Sequence, residues 1–520
     1  MGGEPVKLNY KRTILVGFAF FLICAFWQAY DNTIPLILTN KFGMSQTWSG
    51  IIMALDNILA LFLLPLFGAI SDKHRGKRGR RTPFIVFGTL IAAVALICLS
   101  FVDNAQLRHI RDVSAIDDPA ALTVIYEKEA DEQLLTPGGV RFVLRDTFTE
   151  EAFTAITSQV TEGGKTVTNP DYTNYVVPAR QAYAWQTTAE SPATLVFFVL
   201  LLLVILISMA VFRSPAVALM PDVTMKPLRS KANAVINLMG SAGGILVLAL
   251  GMVFATSAVR NSLMSYTGYF GVIAAIMLAA LVIFMLTVRE TEWAEEMQRD
   301  SVTYGVEESE ETAGGERKLS ADEIRSLLLI LLSIVLWFFG YNAVTSKYSV
   351  YASNILHKDY NLTLIIAQAA AIVAYLPVGF VASRVGRKKT ILAGVVMLTV
   401  AFGVAGVLHA DSPTALMNAM FALAGIGWAT INVNSFPMVV ELASGGDVGR
   451  YTGFYYTASM AAQVATPMLS GLLMDKLGMR VLFPYAAVFT ALAFVTMLFV
   501  RHGDSKPEAR KGLEVLEDME

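Results

Sequence analysis

Apolar residues in this chain gather into long unbroken runs rather than alternating stripes, and short polar or basic connections separate the runs. A helix needs about 20 mainly apolar residues to cross the hydrocarbon of a bilayer. By that rule the first half holds spans at residues 13–38, 48–70, 83–102, 193–217, 232–257 and 265–288. The second half holds spans at 323–348, 361–383, 390–409, 414–440, 451–474 and 480–500. The fifth and eleventh are the weakest, because Gly, Ser and Thr dilute them. The pattern predicts an all-α integral membrane protein with twelve transmembrane helices. The first apolar stretch is long and ends in no small-residue cleavage site, so it is expected to stay as a helix rather than leave as a signal peptide.

Composition strengthens this picture. The 520 residues are 55% hydrophobic and only 16% charged, whereas soluble domains are nearer a quarter charged. A formal net charge of −2 argues against a nucleic-acid partner. Cys24 and Cys98 both lie in apolar runs, so neither a disulfide framework nor a cysteine metal site is expected. Lys and Arg concentrate in alternate connections, KHRGKRGRR (73–81), KPLRSK (226–231) and RVGRKK (384–389). Cytoplasmic loops carry such an excess, which places both termini in the cytoplasm of a cell-membrane protein.

Two stretches are not spans. Residues 103–191 carry fourteen acidic side chains against seven Lys and Arg, an extracytoplasmic insert by the same charge rule. It is either a small folded cap, with VRFVLRDTF as a strand after the PGG turn, or a solvated irregular loop. Residues 289–321, with EESEETAGGE, read as a flexible cytoplasmic linker. The domain layout is therefore 1–288 for the first bundle with its insert, 289–321 for the linker, 322–502 for the second bundle and 503–520 for a cytoplasmic tail.

The halves repeat one another. Tyr30 and Asp31 precede LPLFGAISD, and Tyr341 and Asn342 precede LPVGFVASRVGRKK; Tyr30 to Gly68 and Tyr341 to Gly379 are both 38 residues. Parallel duplicated units are a transporter plan with the substrate site between halves near the midplane. GAISDKHRGKRGRRTPF resembles the loop between the second and third helices of the major facilitator superfamily, and GFVASRVGRKK its counterpart between the eighth and ninth. SD followed by GRRTPF, with SPAVALMPD (214–222), is most similar to the sucrose transporter branch, and more loosely to the glycoside-pentoside-hexuronide:cation symporters. The resemblance implies the major facilitator fold, two pseudo-symmetric bundles whose first, fourth, seventh and tenth helices line a cavity. It does not extend to the 103–191 insert. Val217 stands where sucrose carriers have an Arg, with Arg213 one turn earlier. Asp56 is followed four residues on by Ala60 rather than a second carboxylate, so a melibiose-permease-like sodium site is not implied.

Ionisable groups at membrane depth default to functional hypotheses. Asp31 lies inside an apolar run with Gln28 and Asn32 on the same helix face and Trp27 beside it. Asp56 lies at similar depth in the second span, and Arg213 inside the fourth. Structural alternatives are a hydrogen bond between helices for the carboxylates and a snorkel to the interface for Arg213. Tyr341, Asn342 and Thr345 in the seventh span, with Trp428, Asn432 and Asn434 in the tenth, add neutral hydrogen-bonding groups that suit a polyol. Lys347 is expected at the interface. Asp72, Arg80, Arg81, Asp222, Arg229, Glu441 and Arg450 sit at span ends, where the resemblance implies a cytoplasmic gate of carboxylate–guanidinium pairs.

The function these residues suggest is a secondary active transporter, importing a sugar or glycoside with a proton by alternating access. It would work as a monomer in the lipid bilayer, without cofactor or metal. The alternatives are transport of another small organic solute or lipid, or a non-transporting membrane sensor. No nucleophile elbow, phosphate loop or metal-spaced histidine set supports an enzyme.

Overall fold

The computed structural model describes residues 8–162, 164–225, 228–303, 319–442 and 448–503. The first six spans are α1 (Tyr10–Asn40), α2 (Gln46–Lys73), α3 (Thr82–His109), α9 (Ala193–Asp222), α10 (Arg229–Val253) and α11 (Thr267–Thr287). The second six are α13 (Ala321–Tyr351), α14 (Tyr360–Val385), α15 (Arg387–Ala405), α16 (Thr414–Val440), α17 (Val448–Leu477) and α18 (Leu482–Leu498). Among the described residues ten helices are long and apolar enough to cross a membrane. The remaining two of the twelve are α14 and α17. The eleventh span is weak as expected, since α17 carries Thr, Ser, Gly and Gln, whereas the fifth passes.

Polar groups start several of these helices. Ser45 caps α2 through the Trp48 amide, Asp359 caps α14 through the Asn361 amide, and Ser320 with Glu323 forms a capping box on α13. The connection between the halves also starts as a helix, α12 (Glu290–Thr303), with Trp293 buried and Glu296 paired to Arg12 at 2.8 Å. The expected linker is thus helical over its first part, and residues 304–318 lie outside the described ones.

Each half has its own apolar core, one from Val16 to Trp293 and the other mostly from Leu327 to Val500. Within the first half α1 packs on α10 and α3 on α9; within the second α13 packs on α18 and α15 on α16. The halves meet along α2 with α17 and along α10 with α14. These are second with eleventh span and fifth with eighth, as a two-fold relation between six-helix units requires.

The insert is a folded unit. Its elements are α4 (Arg111–Ser114), α5 (Pro119–Glu129), the hairpin β1 (Gln133–Leu135) and β2 (Arg141–Val143), α6 (Leu144–Thr147) and α7 (Glu150–Thr154). The hairpin β3 (Gln159–Glu162) and β4 (Lys165–Thr168) and the long α8 (Val177–Glu190) complete it. Ile110, Leu122, Ile125, Phe142, Phe153 and Tyr172 form its own core. Of the two sequence alternatives the folded cap holds, but within VRFVLRDTF only Arg141–Val143 is a strand and Leu144–Thr147 turns into α6; residues 103–109 belong to α3.

Glu129 is buried inside this cap, with one oxygen accepting from Gln186 Nε2 at 3.2 Å and the other without a protein partner. Burial, then repulsion from Glu132, pushes its carboxyl from 4.5 up to about 7. The folded cap therefore holds a proton that the unfolded chain releases. Its stability is complete below about pH 4.5 and falls as pH rises through about 7. Amide exchange in the cap should accelerate from about pH 5 to about pH 8, beyond the intrinsic rate change, and Glu129→Gln should remove the excess. An equal excess in the variant would show that Glu129 is not the group responsible.

A second buried charge ties the cap end of the first half together. Lys41 Nζ donates to Asp103 Oδ1 at 2.5 Å and Oδ2 at 2.6 Å and to the Met264 carbonyl at 2.7 Å, above the Tyr266 ring. Neither side chain has solvent exposure. Breaking such a pair costs about 3–5 kcal/mol because the other charge stays buried. Asp103→Asn should lower the melting temperature in detergent sharply, and adding Lys41→Met should recover part of the loss. A double variant no more stable than Asp103→Asn would contradict this.

Candidate functional site

The face of α1 at mid-membrane is built by spacing. Trp27, Gln28 and Asp31 are partly exposed there, while Tyr30 packs inward against Phe26 with its hydroxyl lacking a protein partner. Arg213 comes in from α9, its guanidinium 5.7 Å from the Trp27 ring centroid. Asp31 lies within electrostatic reach of both Asp56, from α2, and Arg213. Asp56 also feels Arg213 and accepts from Asn57 Nδ2 at 2.7 Å. Among the described residues no ion pair within 4.0 Å joins Arg213 to either carboxylate. One cation is thus shared loosely between two acids.

The second half contributes aromatic and amide groups of its own at the same depth. Tyr341 of α13 and Trp428 of α16 stack face to face, centroids 3.6 Å apart and 2° from parallel, with Phe338 edge-on at 5.2 Å. Asn342 Nδ2 is buried without a protein partner, and so is Trp27 Nε1 of the first half. Gln368 of α14 donates to Gln28 Oε1 at 2.6 Å and so joins the halves at mid-depth; its own Oε1 is unpartnered.

The remaining candidates divide. Asn32 is buried and spends its amide on the Gln28 carbonyl at 2.8 Å, Asn434 does the same with Thr430 at 2.9 Å, and Thr345 bonds the Asn342 carbonyl at 3.3 Å. Asn432 is partly exposed beside Trp428 on α16. Gln368 was not singled out by sequence, although an amide inside IIAQAAA was a visible signal.

At the basic-loop end the charges cluster within each half. Asp222 receives Arg80 Nε at 3.0 Å and Arg81 Nε at 2.7 Å, while Arg81 also bonds Ser71 Oγ at 2.5 Å and Asp72. Arg229 donates to the Thr224 and Pro221 carbonyls. In the second half Arg387 pairs with Glu441, and the Arg450 side chain lies outside the described residues. Glu290, which the sequence did not flag, holds the α2–α3 loop. Its carboxylate accepts from the amides of Arg80, Arg81 and Thr82 at 2.7–2.8 Å, a cap on the α3 N-terminus.

Bonds between the halves lie elsewhere. Asp475 of α17 accepts from Gln46 N at 2.7 Å, Thr47 N at 2.7 Å and Thr47 Oγ1 at 2.5 Å, capping α2 from the other half. Lys347 is fully buried rather than interfacial, donating to the Gln46 carbonyl at 2.8 Å close to Asp475. Gly50 and Gly471 bring the two backbones so close that a Cβ on either would overlap the facing carbonyl. Further bonds, Thr256 to Tyr360 at 2.7 Å and Asn361 to Thr256 at 3.2 Å, lie at the same end. Among the described residues no hydrogen bond or ion pair joins the halves at the basic-loop end. The described residues thus join the halves at the cap end and at mid-depth.

Two six-helix units meeting around a polar midplane are the architecture of a membrane transporter. Residues 16–110, 182–373 and 348–516 match the family model of the Major Facilitator Superfamily, and the chain belongs to that superfamily. The internal segment left unmatched, 111–181, falls within the cap. Among curated proteins the chain is 24% identical over 115 residues to sucrose transport protein SUT5 of Oryza sativa, covering 22% of this chain and 21% of that one. It is 30% identical over 105 residues to sucrose transport protein SUC3 of Arabidopsis thaliana, covering 19% and 17%. The chain thus spans about a fifth of the length of the curated relatives it matches. Among solved structures it resembles the xylose transporter XylE of E. coli, with TM-score 0.60, 14% identity and coverage of 98% and 99%. It also resembles a mutant of the nucleoside transporter NupG, with TM-score 0.54, 14% identity and coverage of 95% and 100%. At these identities the structures establish the fold alone.

Proposed function

We propose that this transporter imports a sugar or glycoside together with a proton, by alternating access. The observation that carries the proposal is the mid-membrane set itself. Flat aromatic faces and neutral hydrogen-bonding groups on the second half oppose two carboxylates and one guanidinium on the first. A polyhydroxylated ring can stack on Trp428 or Trp27 while its hydroxyls meet Asn342, Asn432 and Gln368. Asp31 and Asp56, sharing Arg213, supply a proton acceptor whose charge can differ between the loaded and empty carrier. The sucrose transport proteins among its relatives favour the same class of cargo.

Orientation in this proposal follows from the basic loops, which face the cytoplasm together with both termini in the cell membrane. The cap is then extracytoplasmic, and the sealed end is the outer one. In such an inward-open form the Asp72, Arg80, Arg81, Asp222 and Arg387–Glu441 clusters rest within their own halves; the proposed gate would form new contacts across the seam only when the outer end opens. Uptake by proteoliposomes, screened over labelled sugars with and without an imposed proton gradient, tests the proposal. At least one sugar should accumulate above equilibrium only when the gradient is directed inward. Sugar uptake indifferent to the gradient would remove the proton, and no sugar uptake would remove the substrate class.

A further inference from the structure

The cap is mounted rigidly on the first half. Gln181 Nε2 donates to Asn40 Oδ1 at 3.0 Å, and Gln106 bonds Thr188 Oγ1 at 3.0 Å and Thr194 Oγ1 at 2.5 Å. Gly43, at φ +66, lets the α1–α2 turn press against the α8 backbone, where any side chain would collide. Yet the cap also reaches the second half at two places. The turn between β1 and β2 seats on the end of α17, where the Met479 amide donates to the Pro137 carbonyl at 2.7 Å. A Cβ on Gly139, itself at φ +88, would stand 2.6 Å from the Leu477 carbonyl oxygen. On the other side Thr173 Oγ1 meets His357 Nε2 at 3.3 Å, His357 being fixed by its Nδ1 to the Ser353 carbonyl at 3.2 Å.

These contacts sit beside the seam. Asp475, which caps α2 across the halves, lies two residues before Leu477 on the same helix. We infer that the cap is a latch, holding the end of α17 and the α13–α14 turn against the first half and releasing them whenever the cap end opens. This rests on the alternating-access proposal. A contact present in one state only shifts the equilibrium toward that state by its own free energy. The cap belongs to one half and the seats to the other, so separation of the halves at this end breaks Pro137–Met479 and Thr173–His357 together. Two neutral hydrogen bonds bias the equilibrium by roughly tenfold. Tight seating at Gly139, but not at Gly138, is part of the fit: a Cβ on Gly138 has its nearest neighbours, Arg480 and Thr136, at 3.7 Å.

The test uses the full-length protein in nanodiscs with Cys24 and Cys98 replaced by Ala. Spin labels at Trp48 and Leu472, exposed on α2 and α17 to either side of the seam, report its opening as a distance distribution. The combined Gly139→Ala and Thr173→Ala variant should raise the open fraction roughly tenfold, and Gly138→Ala should leave it at the parent value. In a second preparation, cysteines at Gly138 and Arg480 joined by a short bis-methanethiosulfonate linker should eliminate the open fraction, and reduction should restore it. Parent-like distances in the double variant, or an open fraction that survives cross-linking, would overturn the latch while leaving transport by alternating access standing. A single distance under every condition, including an imposed proton gradient and a substrate found by the uptake screen, would overturn both.

Discussion

Asp31→Asn will lose gradient-driven accumulation while retaining exchange of substrate across the membrane. Asparagine keeps the size and one acceptor oxygen of the carboxylate but has the charge of its protonated form, so the carrier is held in the loaded state of the coupling group. Exchange needs no net proton movement and survives. Accumulation needs the proton to leave, and with one proton per substrate each pH unit of gradient is worth about tenfold in concentration. The variant forfeits all of it. Asp56→Asn is the companion, because both carboxylates lie within reach of Arg213. Whichever substitution abolishes accumulation and spares exchange identifies the proton carrier. The fold of the variant is protected by the repeat, since Asn342 already stands at the matching position of the second half. If Asp31→Asn accumulates substrate against a gradient as the parent does, Asp31 is a structural group and the coupling proposal moves to Asp56.

What the sequence discloses here is what one helix can carry by itself. Run length located the spans, and the 38-residue echo between Tyr30–Gly68 and Tyr341–Gly379 located the halves. The i, i+3, i+4 spacing put Gln28, Asp31 and Asn32 on one face; Gln28 and Asp31 are partly exposed there, whereas Asn32 is buried with its amide on the Gln28 carbonyl. Contacts between elements were not written in any single run. Lys347 reads as interfacial because a lysine near a span end usually snorkels; it is buried because α2 starts directly against it and offers the Gln46 carbonyl. Glu290 reads as one more acid in a charged connection, and only the return of α12 beneath the α2–α3 loop makes it a cap. The Lys41–Asp103 pair joins residues 62 apart. The cap was ambiguous because its composition is polar, while the apolar positions that fold it, such as Ile110, Leu134 and Phe142, come from separate short elements.

Asp475→Asn will open the sealed end. Three donors from the first turn of α2 converge on this carboxylate from the opposite half, and the positive end of a helix adds to their attraction. Hydrogen bonds to a charged group are worth about 1.5–3 kcal/mol each. An amide loses the charge and turns one acceptor into a donor facing other donors. The closed state should therefore lose about 3 kcal/mol relative to the open one, roughly a hundredfold in their ratio. Lys347 sharpens the test. It is buried with one hydrogen bond, to the Gln46 carbonyl, and Asp475 is its nearby countercharge. Lys347→Met removes that bond between the halves, so the single variant should also open the sealed end, by less than Asp475→Asn, which loses three bonds to a carboxylate. Labelling of a single cysteine at Thr345 from the cap side, in a background without Cys24 and Cys98, measures the shift. Labelling should accelerate strongly in Asp475→Asn and more modestly in Lys347→Met. Rates equal to the parent in Asp475→Asn would mean that the close approach at Gly50 and Gly471, rather than the carboxylate, holds the seam.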